Sequence, residues 1–212
     1  MDNYVNPLRF TQSFKHRINH LNKRIEEFFT QYNRIFSKLQ SNRPILMDEF
    51  TAYRVEMEEI IHEIKRLFDL VVMTVGIEHS GIEYYDSTHQ VKLQSISQLW
   101  SKKPPIVEEE IKEACLLKSY FPLLNLVNDL HNGLKHDILA EGNNSHLLPR
   151  PQIELAKIAN QQGYLKVVNV YQIDFECFIH ACNGYLCDVI NGQKDIKAHT
   201  LIGISRAELT KF

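Results

Sequence analysis

Apolar residues recur at alternating steps of four and three from Phe14 to Leu39, and again in three-four alternation from Phe50 to Val71. The first run comprises Phe14, Ile18, Leu21, Ile25, Phe28, Tyr32, Ile35 and Leu39; the second comprises Phe50, Tyr53, Met57, Ile60, Ile64, Leu67 and Val71. With about 3.6 residues per helical turn, that alternation gathers every such side chain on one stripe of a helix. Asn42-Arg43-Pro44 separates the runs, and proline both lacks an amide hydrogen and disfavours helix in the residue before it. Two long stripes joined by a few residues bury one another by lying antiparallel. The chain is thereby committed to a helix hairpin over residues 10–75, and everything else must pack around it.

The details of that hairpin follow from the same stretch. Asp48 is the expected N-cap of the second helix, and Gly76 its expected end. Folding back near residue 45 sets Arg34 beside Glu56 and Arg24 beside Glu63. A seam this long is expected to serve as core; its other use would be as an arm that binds a protein partner or a second copy. Lys15, His16, Arg17, His20, Lys23 and Arg24 form a basic cluster, read first as a solvated face of mixed charge and second as a nucleic-acid contact.

The remaining segments are shorter. Residues 77–105 are polar and without clear periodicity, although Val91, Leu93, Ile96, Leu99 and Trp100 suit a short amphipathic helix or a packed loop; Lys102-Lys103-Pro104-Pro105 ends the segment. Glu108 to Glu110 suit the positive end of a helix dipole and open a third helix. Pro122 fits the first turn of a fourth, with Leu123, Leu126, Val127, Leu130, Leu134 and Ile138 on its apolar face. Residues 152–158 alternate polar and apolar, 160–163 read as a turn and 165–170 are rich in valine, a β-hairpin pattern. A last helix over 172–190 is apolar on most sides, which is normally the mark of a central helix. The fold class is therefore mainly α: a helical bundle in one domain, residues 1–212, built on the long antiparallel pair. Motif-bearing helices occupy 106–140, a small β-hairpin is inserted at 152–170 before the C-terminal helix, and 191–212 form a polar tail.

Composition excludes some functions. A formal net charge of -2 provides no global attraction to nucleic acid or anionic membrane, so a polyanion partner needs a local basic patch. No apolar run is long enough for a membrane span, and four cysteines are too few for a disulfide-stapled domain; a soluble, cytoplasmic protein is expected. Walker loops, dinucleotide fingerprints and nucleophile elbows are missing, and no cofactor is implied.

The densest chemistry lies at Asn128-Asp129-Leu130-His131-Asn132-Gly133-Leu134-Lys135-His136-Asp137. Asn128, Asn132, Lys135 and His136 fall away from the leucine face of their helix. Asn132 and His136 are neighbours at a spacing of four, while His131 and His136 stand about 140° apart around the helix and flank a position between them. Histidine titrates near neutrality and serves as general acid or base; lysine holds a phosphate as a point charge. Such a set suits metal-independent RNA cleavage, in which a base deprotonates the 2'-hydroxyl. The plain alternative is a set of polar residues on a solvated helix face, with Gly133 allowing close packing.

His131-Asn132-Gly133-Leu134-Lys135-His136 resembles the motif of HEPN (higher eukaryotes and prokaryotes nucleotide-binding) domains, in which arginine, commonly followed by Asn or another polar residue, precedes a histidine by four to six intervening residues in a helical bundle. His131 stands where that family has arginine. The resemblance implies a ribonuclease of a toxin or antiviral defence system, acting on RNA as a homodimer with both motifs in one composite site. Its catalytic set would be His136 as base, Asn132 orienting the phosphate or the histidine, and His131 with Lys135 stabilising charge. The competing expectation is a non-catalytic interaction protein using the 10–75 hairpin.

Two metal-ligand patterns fall short of a site. Glu59-Ile60-Ile61-His62 has the Glu-x-x-His spacing of di-iron bundles, but Glu176 and His180, its nearest echo, are spaced by four. Cys177, His180, Cys182 and Cys187 contain no Cys-x-x-Cys, and the cysteines are expected to be small buried apolar residues.

Overall fold

The structure is a computed structural model that describes residues 7–79, 93–102, 107–116, 120–135, 150–161 and 164–192. In chain order these form α1 (Pro7–Gln40), α2 (Met47–His79), a 3-10 turn (Ile96–Trp100), α3 (Glu109–Leu116), α4 (Phe121–Lys135), β1 (Gln152–Gln161), β2 (Tyr164–Asp174) and α5 (Phe175–Gly192). The expected mainly α architecture is what the chain adopts, with one antiparallel β-hairpin immediately before the last helix.

The two heptad seams form the expected hairpin. Phe14, Ile18, Leu21, Ile25, Phe28, Tyr32 and Ile35 of α1 are buried, as are Tyr53, Met57, Ile60, Ile64, Leu67 and Val71 of α2. Each large side chain so buried contributes about 1.5–3 kcal/mol. Leu39 departs from the seam and is 42% exposed. The reason lies in how α1 stops. Asn42 adopts a left-handed backbone at φ 52°, tolerable for asparagine. Its N–H donates to the Leu39 carbonyl, and the Arg43 N–H to the Lys38 carbonyl. That is a Schellman stop, which turns the chain away before the last seam residue can be covered.

Three local expectations are corrected. Asp48 lies within the first turn of α2 and does not cap it. The capping contact comes from Glu49, whose carboxylate accepts the Leu46 backbone N–H at 3.3 Å, the glutamate half of a capping box. Gly76 does not end α2, which continues through it to His79. Gly76 is needed for close approach: a Cβ there would stand 3.1 Å from the Leu93 Cβ. Finally, Gln172–Asp174 belong to β2 rather than to α5. Asp174 caps α5 by accepting the Cys177 N–H at 3.0 Å, and the Phe175 N–H donates to the Pro151 carbonyl, closing the base of the hairpin.

The hairpin's charges pair across the helices, but one heptad away from the expected partners. Arg24 forks onto Glu56, with Nε–Oε1 2.6 Å and Nη2–Oε2 2.9 Å, where Glu63 was expected. Arg34 meets Glu49 at 3.5 Å rather than Glu56, and Glu63 is met by Arg17 at 4.0 Å. The fold-back is therefore centred a few residues earlier than residue 45.

α2 is the hub, packing against α1, α3, α4, α5 and the 3-10 turn. Asp69 of α2 accepts the Ile96 N–H at 2.9 Å while also binding Lys65, which fastens the 3-10 turn to the hub. On α5, the Tyr185 hydroxyl donates to the Cys115 carbonyl of α3 at 3.0 Å, and its ring packs on Phe68 and Tyr120. Phe175 packs edge-on against Phe28 with centroids 4.8 Å apart, joining the start of α5 to α1. The β-strands pair from Gln152↔Asp174 to Gln161↔Tyr164, with a register shift between Lys157 and Ile158 that bends the ribbon.

Candidate functional site

α4 presents its inner face to α2. Leu124, Val127 and Leu130 are fully buried and Leu134 nearly so, while Leu123 and Leu126 are only partly covered. The apolar face thus centres on Leu124, slightly round the helix from the face read in the sequence. This rotation matters for the next residue along, because it brings His131 towards α2.

His131 and His62 meet across the α2–α4 seam. Their Nδ1 atoms are 2.7 Å apart, and the rings lie nearly perpendicular, at 84°, with centroids 4.7 Å apart. Both side chains are half-buried. A neutral imidazole has one N–H and one lone pair, so at this distance one Nδ1 donates and the other accepts. Helix α2 sets the position of His62 because Ile60, Ile61 and Ile64 beside it are locked in the core. His131 is set in the same way by Leu130 and Leu134. Two rigid helices therefore hold two titratable rings face to edge.

Of the residues singled out in the sequence, His131 and Asn132 can be placed. Asn132 is exposed, one position on from the paired imidazole, and Asn128 and Asp129 are half-buried on the preceding turn. Lys135 closes α4; its side chain and the whole of His136 lie outside the described residues. His62 is the residue that sequence reasoning missed. It registered only as one end of Glu59-x-x-His62, and nothing local connects it with a histidine 69 positions away.

The surroundings are strongly charged and mostly self-paired. Arg24 binds Glu56 and lies 3.7 Å from Glu59; Arg66 donates to Glu63 at 2.6 Å. The hydrogen bond to Glu56 holds the Arg24 guanidinium above its ordinary pKa, against the opposing effect of burial. Arg17 and Arg24, two members of the N-terminal basic cluster, are thus engaged with α2, whereas Lys15, His16, His20 and Lys23 are exposed.

The thiols take no part. Burial pushes Cys115 up to about 12 and Cys182 well above the usual range, as inert core residues. Cys177 is exposed and Cys187 only partly covered, contrary to the expectation that Cys177, Cys182 and Cys187 are buried, and the Cys177 thiol is also raised, by desolvation and by Asp174. Among the described residues no three His, Cys, Asp or Glu side chains converge as a metal site. His180 lies 4.0 Å from Glu176, and its Nδ1 is buried without a hydrogen-bond partner among the described residues. No helix among the described residues is long and apolar enough to cross a membrane.

No family profile, curated protein or solved structure matches this chain. The class that fold and site define is thus a mainly α bundle with a histidine pair beside an exposed asparagine on its motif helix.

Proposed function

We propose that the chain is a HEPN-like protein that acts on RNA through the exposed face of α4, as a homodimer and in toxin or defence biology. In this reading Asn132, Lys135 and His136 meet the phosphodiester together with His131. The observation that carries it is the fixation of His131. A histidine on an ordinary solvated face turns freely, whereas this one is held by His62 at 2.7 Å next to the open amide of Asn132. Phosphodiester chemistry needs positioned groups, because misplacement by about 1 Å can cost on the order of a hundredfold in rate. The mechanism needs no metal: a neutral imidazole accepts the 2'-hydroxyl proton, the 2'-oxygen attacks the adjacent phosphorus, the bond to the 5'-oxygen breaks to leave a 2',3'-cyclic phosphate, and the departing 5'-oxygen takes a proton from an imidazolium or water while a cationic group steadies the charge on the phosphate.

The test is RNA cleavage by the purified chain in excess chelator, for wild type, Asn132→Ala and His136→Ala. Cleavage by wild type that falls at least about tenfold in both variants is expected. Equal rates in all three, or no cleavage by any, would exclude the enzyme.

A second reading is a non-catalytic protein that binds a partner through the hairpin. Its seam is occupied internally, so the partner surface would be the tip and outer face, where Leu39, Leu46 and Val55 are 42%, 63% and 50% exposed. Substituting Leu46 and Val55 by Glu separates the readings: loss of self-association with unchanged RNA handling favours the hairpin role.

A further inference from the structure

His62 and His131 are coupled through a single hydrogen. In the neutral pair, one ring carries its hydrogen on Nδ1 and the other on Nε2. Adding one proton leaves the shared hydrogen in place and turns it into a charge-assisted N–H···N bond, stronger than the neutral one. Adding a second proton directs two N–H groups at each other across 2.7 Å, which is strongly unfavourable. The first proton is therefore held more firmly, and the second resisted more, than in either histidine alone. The two titrate as a unit, with macroscopic steps that belong to the pair. Between those steps the unit carries one positive charge, and both Nε2 atoms bear hydrogens. The result is a compact cation with two N–H donors, held by two rigid helices.

We infer that His62 and His131 act as one proton-sharing cation that seats a single phosphate group, with His131 as the binding residue and His62 as its positioning residue. The inference rests on the reading of α4 as an RNA-facing helix, and it specifies the ligand chemistry there: a phosphate oxygen. Asn132, exposed beside His131, supplies an amide donor to the same group. The neighbouring charges are compatible with one cation. Within about one turn of His62 along α2 the charged residues are Glu58, Glu59, Glu63, Lys65 and Arg66, and within about one turn of His131 along α4 they are Asp129 and Lys135. Arg54 binds Glu58, Arg24 and Arg17 reach Glu59 and Glu63 from α1, Arg66 also binds Glu63, and Lys65 is bound to Asp69. Glu58, Glu59 and Glu63 on α2 thus each have an arginine partner.

The experiment follows the imidazole nitrogens by NMR in the full chain, first against pH and then against inorganic phosphate near neutrality. Wild type is expected to show two linked steps separated by a plateau with one shared proton, and phosphate is expected to perturb the His131 Nε2 on that plateau. In His62→Gln, whose amide can still bond Nδ1 but cannot exchange a proton, His131 should titrate in one step. Phosphate affinity should then fall about tenfold, since the charge is no longer held through neutrality. Independent one-step titration of both histidines in wild type overturns the shared proton. Linked titration without a response of His131 to phosphate overturns the phosphate seat. Phosphate bound at the pair in a chain that never cleaves RNA upholds this inference while refuting the ribonuclease reading, so the two fail separately.

Discussion

The ion pair between Arg24 and Glu56 makes the helix register measurable. Its two side chains are 20% and 26% exposed and form a forked contact. At an effective dielectric constant of about 20, two charges some 3 Å apart attract by roughly 5 kcal/mol, and desolvation and side-chain ordering offset most of it. Fully exposed pairs yield about 0.2–1 kcal/mol, so a forked, mostly covered pair should couple by about 1–2 kcal/mol. The assay is a double-mutant cycle by urea denaturation with Arg24→Met, Glu56→Gln and their combination. The same cycle against Glu63, one heptad further along α2, should couple by less than about 0.5 kcal/mol, because Glu63 is met by Arg17 and Arg66. Coupling of Arg24 to Glu63 equal to or above that to Glu56 would refute the observed register.

Other outcomes follow from the packing. Phe28→Ala, at a fully buried ring touching Phe29, Tyr53 and Phe175, should cost about 3–5 kcal/mol in denaturation; less than about 1 kcal/mol would mean that the α1–α5 junction is not built on it. Burial and the hydrogen bond to Asp188 raise the Tyr120 hydroxyl to about 12, and burial raises Tyr32 similarly. Since folding raises these values, their contribution is complete below the ordinary tyrosine pKa near 10 and is lost as pH climbs towards 12. Melting temperature should fall across that window, less steeply in Tyr120→Phe. Thiol labelling of the native chain should be fastest at Cys177, and Cys115 and Cys182 should stay protected until the protein unfolds.

Much of the fold was legible because its strongest signal is periodic and long. Thirteen buried seam positions would have to change together to defeat the hairpin, and an error of one residue at any boundary does not disturb it. The same periodicity explains the register error. Glu49, Glu56 and Glu63 are spaced by seven, as are Arg17 and Arg24, so sliding by one heptad still sets cation against anion. The turn decides the matter, and its stop at Asn42 is a backbone conformation that the adjacent proline masked. Gly76 was misread for a related reason: glycine marks both helix ends and close contacts, and only the presence of Leu93 against it separates the two. Part of the candidate site's geometry lay beyond the sequence. Local spacing drew Asn132 and His136 together, and His136 lies outside the described residues; the pairing of His131 with His62 comes from tertiary packing that turns the face centred on Leu124 towards α2.

RNA handling at α4 is the proposal on which the proposed function depends. Photocrosslinking a 4-thiouridine-containing single-stranded RNA to the full chain, followed by peptide mapping, tests it directly. Crosslinks on the peptide containing His131 and Asn132, lost on competition with unmodified RNA, are predicted. Crosslinks confined to the exposed basic residues of α1, such as Lys15 and Lys23, or no crosslinks at all, would contradict it.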